Sequence, residues 1–382
     1  MPVQLGKHFW PDFSLISGLR IDYLSPTIFL TDILIFLILF FWFFAEKPKI
    51  KISLWAIFGL FCLLLGIIFS KNLGAGIYKL VKLVEFGLLG VYVYRVKTVS
   101  RYLWRFLPWA LIFTSVIAIF QFCRQSSLNG WFWLFGERSL SAGIPGIALE
   151  NIGGNLFLRS YATFSHPNSM AGFLLVGLIL TFFTFKKTKY FWGYFGLILW
   201  GIFLSFSYSA WLVGAIVLGL YFFLAKKKKS LLIAGFLSAG LIFLGVTQIN
   251  SQPATERWQL MITSFSMIKE NFFLGVGLNN FIAKLPDYWV PVSFRLWQPV
   301  HNHYLLIFAE TGIFVFVLFI VFIVLSVKRL TASSNYPLFL AFVAILLLGF
   351  FDHYWLTLQQ NQILLSIVLG LAWRKNLSKE LQ

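Results

Sequence analysis

Long apolar runs recur along the whole chain, and this feature limits most strongly how it can fold. Of the 382 residues, 59% are hydrophobic and 12% are charged. Soluble domains carry about twice that charged fraction. Apolar runs of this length form membrane-spanning helices, because a helix satisfies its own backbone polar groups inside a bilayer. The sequence therefore predicts an all-α polytopic membrane protein with a single membrane domain over residues 1–382, and excludes a soluble multidomain protein.

About eleven transmembrane helices, within a range of 10–12, account for these runs. The apolar block 190–225 would be about 54 Å long as one helix, whereas the hydrocarbon core is about 30 Å thick. It is therefore interpreted as two spans joined by a turn at Ser205–Ser209. Residues 1–26 are mixed in character and are expected to lie at the membrane interface. The other nine predicted spans are 27–45, 52–69, 76–94, 106–122, 167–185, 231–248, 302–327, 337–351 and 362–373.

The placement of the basic residues predicts which loops face outward. The formal net charge is +18, and most lysines and arginines lie in alternate, short connecting segments, as the positive-inside rule requires of cytoplasmic loops. The long loops 124–166 and 249–300 then face outward. This charge pattern favours membrane lipids as partners and argues against nucleic acid. The chain has no Gly-rich phosphate loop and no zinc-spaced cluster, so no cofactor and no metal are expected.

The first outer loop, 124–166, offers an arginine and a histidine near its end. Arg159 could bind an anion there. His166 and Asn168 flank Pro167, which suits the first position of a helix. The simplest interpretation is that these residues only begin the helix; the alternative is that they support a functional site.

The second outer loop, 249–300, contains a predicted amphipathic helix that lies on the membrane surface. Thr255 is the expected helix start, and Arg257 lies in the first turn. Arg295 follows later in the same loop. A lone arginine usually lies on a solvated face, but guanidinium groups on the same side as a histidine pair match diphosphate oxygens. The apolar residues at helical spacing are Trp258, Met261, Ile262, Phe265 and Ile268.

The third predicted span carries three charged residues on one helix face. Lys79, Lys82 and Glu85 follow one another at spacings of three. One interpretation is a covered pair between Lys82 and Glu85. The other is a basic wall that binds an anionic lipid headgroup.

The segment Pro299–Gly312, with the sequence PVHNHYLLIFAETG, places ionisable residues where a predicted span meets water. Such residues are costly at a membrane boundary and indicate a functional site. His301 is a candidate general base, since a neutral imidazole accepts a proton near pH 7. Glu310 would lie about 13 Å further along a helix, too far to orient His301. Asp352, which precedes His353, is a second possible partner.

Several motifs resemble the O-antigen ligase and polymerase superfamily of bacterial envelope enzymes. His301-Asn302 is followed after nine residues by Gly312, which is the hallmark spacing of that superfamily. RSYATFSHPN at 159–168, ERW with NFFLGVGLNNF within 256–281, and Thr-Asp at 31–32 also match. The resemblance extends over most of the chain, with a core region at 159–328.

The resemblance implies a glycosyltransferase C-type fold and a site on the outer face. Such enzymes transfer an undecaprenyl-diphosphate-linked oligosaccharide to an acceptor hydroxyl without a metal. His301 would be the catalytic base. The diphosphate would be bound by Arg159 and Arg257, and by Arg295 as a further ligand. A basic group usual near Ser207–Ser209 is missing, and Lys79 or Lys82 could replace it. The residues with supporting roles would be Asn302, His303, His166 and Asn168.

The acceptor distinguishes the functions that remain open. A ligase transfers the glycan to a lipid core, a polymerase transfers it to another repeat unit, and a third variant modifies a protein hydroxyl. A ligase in the cytoplasmic (inner) membrane of a bacterium, with its active site facing the periplasm, is the leading prediction. The competing class is a small-anion transporter. Transporters keep their polar residues near the bilayer midplane, whereas here they gather at the outer ends of predicted spans.

Overall fold

The structure, a computed structural model, describes residues 2–185, 188–226, 252–289, 297–333 and 335–374. Most of these residues are helical, which confirms the predicted helical class. The predicted span 231–248 and Arg295 lie outside the described residues.

The helices follow the apolar runs closely. The block 190–225 divides into two helices at the predicted turn, and the helix predicted at 167–185 has those bounds. The helices of the first half are α1 (Leu30–Glu46), α2 (Leu54–Ile68), α3 (Leu73–Arg95), α4 (Thr98–Arg124), α5 (Pro167–Phe185), α6 (Phe191–Phe203) and α7 (Tyr208–Leu224). Those of the second half are α8 (Gln252–Glu270), α9 (Phe281–Lys284), α10 (His303–Ala332), α11 (Tyr336–Leu348), α12 (Tyr354–Thr357) and α13 (Gln359–Trp373).

Two of the described helices, α4 and α10, are long and apolar enough to cross a membrane. Five shorter apolar segments accompany them: 54–68, 167–182, 191–203, 208–224 and 336–348. Large apolar side chains are exposed along several helices, for example Phe36, Phe41 and Phe44 on α1. Exposed apolar surface of this extent is typical of a protein surrounded by lipid. The number of eleven spans stays a prediction.

Three short antiparallel strand pairs accompany the helices, and the sequence did not predict them. In the first pair, β1 (Gly6–His8) lies beside β4 (Thr27–Phe29). In the second, β2 (Leu15–Ile16) lies beside β3 (Leu19–Arg20). The third, β5 (Leu149–Ile152) with β6 (Asn155–Leu158), is a hairpin in the first outer loop. Its turn residues Gly153 and Gly154 have φ of 62° and 89°, which is the backbone that a tight hairpin turn requires.

The N-terminal segment packs on protein, which the sequence did not indicate. The Gln4 N–H donates to the Phe135 carbonyl at 3.0 Å, and Gln360 Nε2 donates to Gln4 Oε1 at 3.1 Å. The Thr163 hydroxyl donates to the Pro2 carbonyl. These contacts attach residues 2–5 to the first outer loop and to α13.

Helix α5 is the most enclosed helix and fixes one side of the site. It packs against α4, α6 and α11, and residues such as Met170, Leu174 and Val176 are fully buried. A helix that is apolar all round is one that is buried all round. The start of α5, which carries His166 and Asn168, is therefore held in a rigid frame.

Helix α8 begins three residues before the predicted start, at Gln252 instead of Thr255. Its buried face, which includes Leu260 and Met267, joins a core cluster with α9 and the start of α10. Its opposite face exposes Trp258, Ile262 and Phe265. The association of that face with the membrane surface stays a prediction.

Candidate active site

Asn302 caps α10 and fixes the position of the histidine before it. Its side-chain oxygen accepts the N–H groups of Tyr304 and Leu305, both at 3.0 Å. Side-chain oxygens at this position satisfy the free N–H groups of a first helical turn. The Asn302 amide also donates to the Phe350 carbonyl at 3.2 Å. His301 is thereby placed at the N-terminal end of α10, beside the segment that follows α11.

Asp352 lies in that segment, and its carboxyl group approaches the imidazole of His301. Asp352 Oδ1 is 3.4 Å from His301 Nδ1, and both side chains are nearly enclosed, at 5% and 11% exposed. Burial alone would raise the pKa of the Asp352 carboxyl. Proximity to His301, the largest of the opposing causes, and to His353 and His166 outweighs burial and holds this pKa well below its ordinary value. Asp352 is therefore a carboxylate that faces the Nδ1 edge of the His301 ring.

A chain of hydrogen bonds connects this pair to Arg159. Asn168 Nδ2 donates to Asp352 Oδ2 at 3.1 Å, and Arg159 Nη2 donates to Asn168 Oδ1 at 2.7 Å. The Arg159 Nε–H donates to the Ser205 carbonyl at 2.7 Å, at the turn between α6 and α7. Four segments that are distant in sequence thus meet in one network. We call the chain His301–Asp352–Asn168–Arg159 the motif network.

Two further histidines beside the motif network are neutral. Burial lowers the pKa of His353 to about 3, although Asp352 opposes that effect. Burial likewise lowers the pKa of His166 to about 3. The His353 ring lies 5.2 Å from the His301 ring, centre to centre. His166 Nδ1 accepts the Asn168 N–H at 3.2 Å at the start of α5. The negative charge of Asp352 is therefore directed mainly at His301.

Arg257 on α8 approaches the same region from the other outer loop. Its side chain is exposed. Burial is the main cause that lowers the pKa of Arg159, and the charges of Glu150 and Tyr161 oppose it. The positive charge of Arg257 adds to the lowering. The charge of Arg257 also contributes to the lowered pKa of His166, although burial is the largest cause. The charge of Arg257 therefore acts on both Arg159 and His166.

The local structure of α10 requires a glycine at Gly312, the last residue of the hallmark spacing. At Gly312, α10 is interrupted, with φ 69° and ψ −177°. A Cβ there would lie 2.2 Å from the Phe273 carbonyl oxygen, so only glycine fits. Across this break, the Val276 N–H donates to the Ala309 carbonyl at 2.8 Å. The motifs around Gly312 and in 271–281 thus form one interlocked structure.

Glu310 belongs to this interlocked structure. Within the described residues, it forms no hydrogen bond with His301. Its carboxylate accepts the N–H of Asn279 at 3.0 Å and that of Phe281 at 3.3 Å. Glu310 therefore fixes the segment that leads into α9, and the expectation that it does not orient His301 agrees with this geometry.

The remaining predicted residues lie apart from the motif network. Lys82 is paired with Asp32 at 2.6 Å and with Glu85 at 3.2 Å, which confirms the interpretation as a covered pair. Lys79 donates to the Leu356 carbonyl. His303 packs its ring against Phe319, 5.7 Å away. The geometry therefore gives neither lysine the free, outward position that a diphosphate ligand needs.

Two residues that contact His353 were not indicated by the sequence. The Thr357 hydroxyl lies 2.8 Å from His353 Nδ1. The edge of the Tyr23 ring meets the face of His353, with 5.5 Å between the ring centres. Neither position has a distinctive spacing, so no sequence signal could have identified it.

One group of residues in the described part of the chain has the spacing for a metal ion. His301, Asp352 and His353 each offer one ligand atom, and these atoms lie within 4.8 Å of one another. A divalent ion there would compete for the Nδ1 that Asp352 holds. The expected metal independence stays a prediction.

Comparisons with known proteins agree with the motifs. A family model described as O-Antigen ligase matches residues 193–320. A General O-oligosaccharyltransferase of Acinetobacter baylyi is 31% identical over 173 residues, which cover 41% of this chain. The matched region covers only 25% of the length of that relative.

Proposed function

We propose that this chain, which belongs to the O-antigen ligase superfamily, transfers a lipid-linked oligosaccharide to an acceptor hydroxyl. The donor would be an undecaprenyl-diphosphate-linked glycan. The protein would lie in the cytoplasmic (inner) membrane of a bacterium, with its site facing the periplasm. The observation that carries this proposal is the motif network, since it connects a carboxylate-held imidazole with a guanidinium group.

His301 is the proposed general base. Asp352 Oδ1 lies 3.4 Å from Nδ1, so we assign the other nitrogen, Nε2, to accept the proton of the acceptor hydroxyl. The acceptor oxygen then forms a bond to the anomeric carbon, and the bond from that carbon to the phosphate oxygen breaks. The electron pair leaves with the diphosphate, and the anomeric configuration inverts. A positioned general base contributes about 10²–10⁴-fold to such a reaction.

Arg159 and Arg257 are the proposed diphosphate ligands. Charge grows on the leaving diphosphate, and fixed cations that face it stabilise the transition state more than the ground state. A guanidinium has five N–H donors, and the contacts to Ser205 and Asn168 occupy two of those of Arg159. Arg295, Lys79 and Lys82 are weaker proposals. Arg295 lies outside the described residues, and both lysines have protein partners.

Among the possible acceptors we propose a lipid core, which makes the protein a ligase. Transfer to another repeat unit is the alternative within the same chemistry. Transfer to a protein hydroxyl is a further one, supported by the name of the Acinetobacter relative. A small-anion transporter is the competing class. The motif network argues against it, because its residues precede or follow apolar helices instead of interrupting them at mid-length.

The test is a transfer assay with the purified full chain. A lipid-diphosphate glycan is supplied with lipid-core, glycan and peptide acceptors, and product is measured for wild type and His301→Ala. We expect the alanine variant to lose about 10²–10⁴-fold in rate. Unchanged transfer by His301→Ala would remove the base assignment. Absence of transfer by wild type with every acceptor would favour the transporter.

A chelator tests the proposed metal independence in the same assay. We expect transfer to continue in EDTA, because the proposed proton acceptor is an imidazole and the proposed leaving-group ligands are guanidinium groups. If EDTA abolishes transfer and Zn²⁺ or Mg²⁺ restores it, His301, Asp352 and His353 would be metal ligands instead.

A further inference from the structure

We propose that a polar cavity beside the histidines is a saccharide-binding subsite, and this inference rests on the proposed function. The cavity has a volume of about 580 Å³ and is called the N-terminal cavity. That volume lies within the range of small-molecule sites. The ligand would be the sugar portion of the donor or of the acceptor, recognised through its hydroxyl groups and its C–H faces.

The walls of the N-terminal cavity come from five parts of the chain. The N-terminal segment contributes Gln4 through Phe29, and the first outer loop contributes Trp133 through Ser139 and His166. Helix α3 contributes Tyr78, Lys79 and Lys82, and the remaining walls are Asn279 and the stretch from Thr357 to Gln362. Most of the lining residues lie outside α-helices. Under the proposed function, this is the kind of position where a glycan would be held.

Its lining distinguishes the N-terminal cavity from two others in the described part of the chain. A cavity of about 530 Å³ between α3 and α13 is lined by side chains such as Phe86 and Leu365. A cavity of about 800 Å³ beside α6 and α7 is lined by side chains such as Phe203 and Trp211. Both linings are almost wholly apolar and suit hydrocarbon. The N-terminal cavity combines polar and aromatic side chains, which suits a sugar.

The polar side chains of the cavity both donate and accept hydrogen bonds. Asp22 offers a carboxylate, and Arg138 offers the N–H groups other than the one that meets the Ser165 carbonyl at 3.2 Å. Burial lowers the pKa of His8, while the charge of Asp22 raises it and that of Arg138 lowers it. Both charged groups thus act on the same imidazole. A cavity lined by both negatively and positively charged side chains can bind hydroxyl groups, because a hydroxyl both donates and accepts hydrogen bonds.

Two aromatic side chains offer faces for the C–H groups of a sugar ring. Trp133 lines the cavity and is 63% exposed. Tyr23 lines it from the other side and meets His353 at 5.5 Å. An aromatic face carries partial negative charge and attracts the positive edge of C–H groups. Trp131, in the same short helical segment, is 81% exposed and does not line the cavity.

The cationic groups in the cavity argue against a diphosphate as its ligand. Lys79 and Lys82 are part of the lining. Lys82 is neutralised by Asp32 and Glu85, and Lys79 donates to a backbone carbonyl. An uncharged ligand fits this balance better than a dianion does.

The cavity is connected to the motif network through a short series of side-chain contacts. His166 belongs to its lining. Thr357 also lines it and contacts His353, whose ring is 5.2 Å from that of His301. A sugar in the N-terminal cavity is therefore separated from the proposed base by two side chains, Thr357 and His353. This position fits a sugar unit next to the one that reacts.

Binding of free glycans tests this inference without requiring transfer. The purified full chain, as wild type and as His301→Ala, is applied to an array of bacterial-envelope oligosaccharides that carry neither lipid nor diphosphate. We expect both proteins to bind the same glycans equally well. Trp133→Ala and Asp22→Asn should weaken binding by about tenfold each, whereas the matched control Trp131→Ala should not. Absence of binding, or equal losses for Trp133→Ala and Trp131→Ala, would overturn the proposal.

Steady-state kinetics then identify which substrate supplies the sugar. If Trp133→Ala raises KM for the acceptor alone, the cavity holds the acceptor; if it raises KM for the donor alone, it holds the donor glycan. Either result supports a saccharide subsite. An effect confined to kcat would contradict it. Glycan binding without transfer by wild type would reject the proposed function and leave the cavity assignment intact, so the two failures are distinguishable.

Discussion

The two long loops, 124–166 and 249–300, hold their arginines in different ways. Arg159 from the first loop is half-buried and is held by hydrogen bonds to Ser205 and Asn168. Arg257 from the second loop lies on an exposed helix face. The second loop is instead fixed further along, where residues 272–277 interlock with Gly312. One guanidinium is thus preorganised beside the proposed base, and the other can adjust to its ligand.

Of the two arginines, Arg159 should have the larger effect when it is replaced. Arg159→Ala removes the charge and leaves Asn168 and the Ser205 carbonyl without their donor, so we expect kcat/KM to fall by about 10²–10³-fold. Arg159→Lys should not restore activity, because an ammonium cannot reproduce the two directions of the guanidinium. Transfer assays of both variants measure this. A lysine variant with near wild-type activity would show that only charge matters at this position.

Among substitutions in the interlocked structure around Gly312, Gly312→Ala should be the most destabilising. The added Cβ would meet the Phe273 carbonyl oxygen at 2.2 Å, and φ at this residue is 69°. We expect a loss of about 3 kcal/mol or more in the free energy of unfolding. Thermal unfolding in detergent provides the measurement. Gly87→Ala is the matched control, since a Cβ there has no atom within 4 Å, and it should unfold at or above the wild-type temperature.

Arg257→Ala should reduce kcat/KM less than Arg159→Ala, by about tenfold, because an exposed charge interacts through water and is screened by salt. Arg257→Lys should keep most of the activity, and the effect should shrink as ionic strength rises. The control on the same helix is the exposed Lys269→Ala. Equal losses for the two arginines would remove the distinction between the loops.

Lowering the pH should destabilise the folded protein gradually through the histidines around Asp352. The pKa of His353 is lowered to about 3 in the folded protein, against about 6.5 in an unfolded chain. The unfolded state therefore binds a proton that the folded state does not, and stability falls as pH drops from about 6.5 toward 3. The slope is about 1.4 kcal/mol per pH unit for this side chain. His353→Gln should flatten the dependence of the melting temperature on pH between 6.5 and 4, and an unchanged slope would contradict the assignment.

The helices could be predicted from the sequence because their signals are local. Pro167 begins α5 and the predicted turn at Ser205–Ser209 separates α6 from α7. In α10 the motif spacing singled out His301, and the structure shows that Asn302 caps that helix. Each of these features depends on neighbours a few residues away.

The partners of the site residues could not be predicted in the same way. The sequence indicated Asp352 only as a possible partner, because its contact with His301 depends on how α10 packs against α11. Lys82 appeared available for an anion, but the packing of α1 beside α3 brings Asp32 to it. The N-terminal segment likewise depends on long-range contacts, such as that between Gln4 and Phe135. Pairings of this kind are set by tertiary packing and leave no periodic signal.

The central claim is that the proposed base and the first-loop arginine act as one network. A double-mutant cycle on kcat/KM with Asp352→Asn, Arg159→Ala and the double variant tests it most directly. If the motif network is a unit, the double variant should be little worse than the poorer single variant, with an interaction energy of about 1.4 kcal/mol or more. If the two losses multiply, Asp352 and Arg159 act independently and the network does not exist as a functional unit.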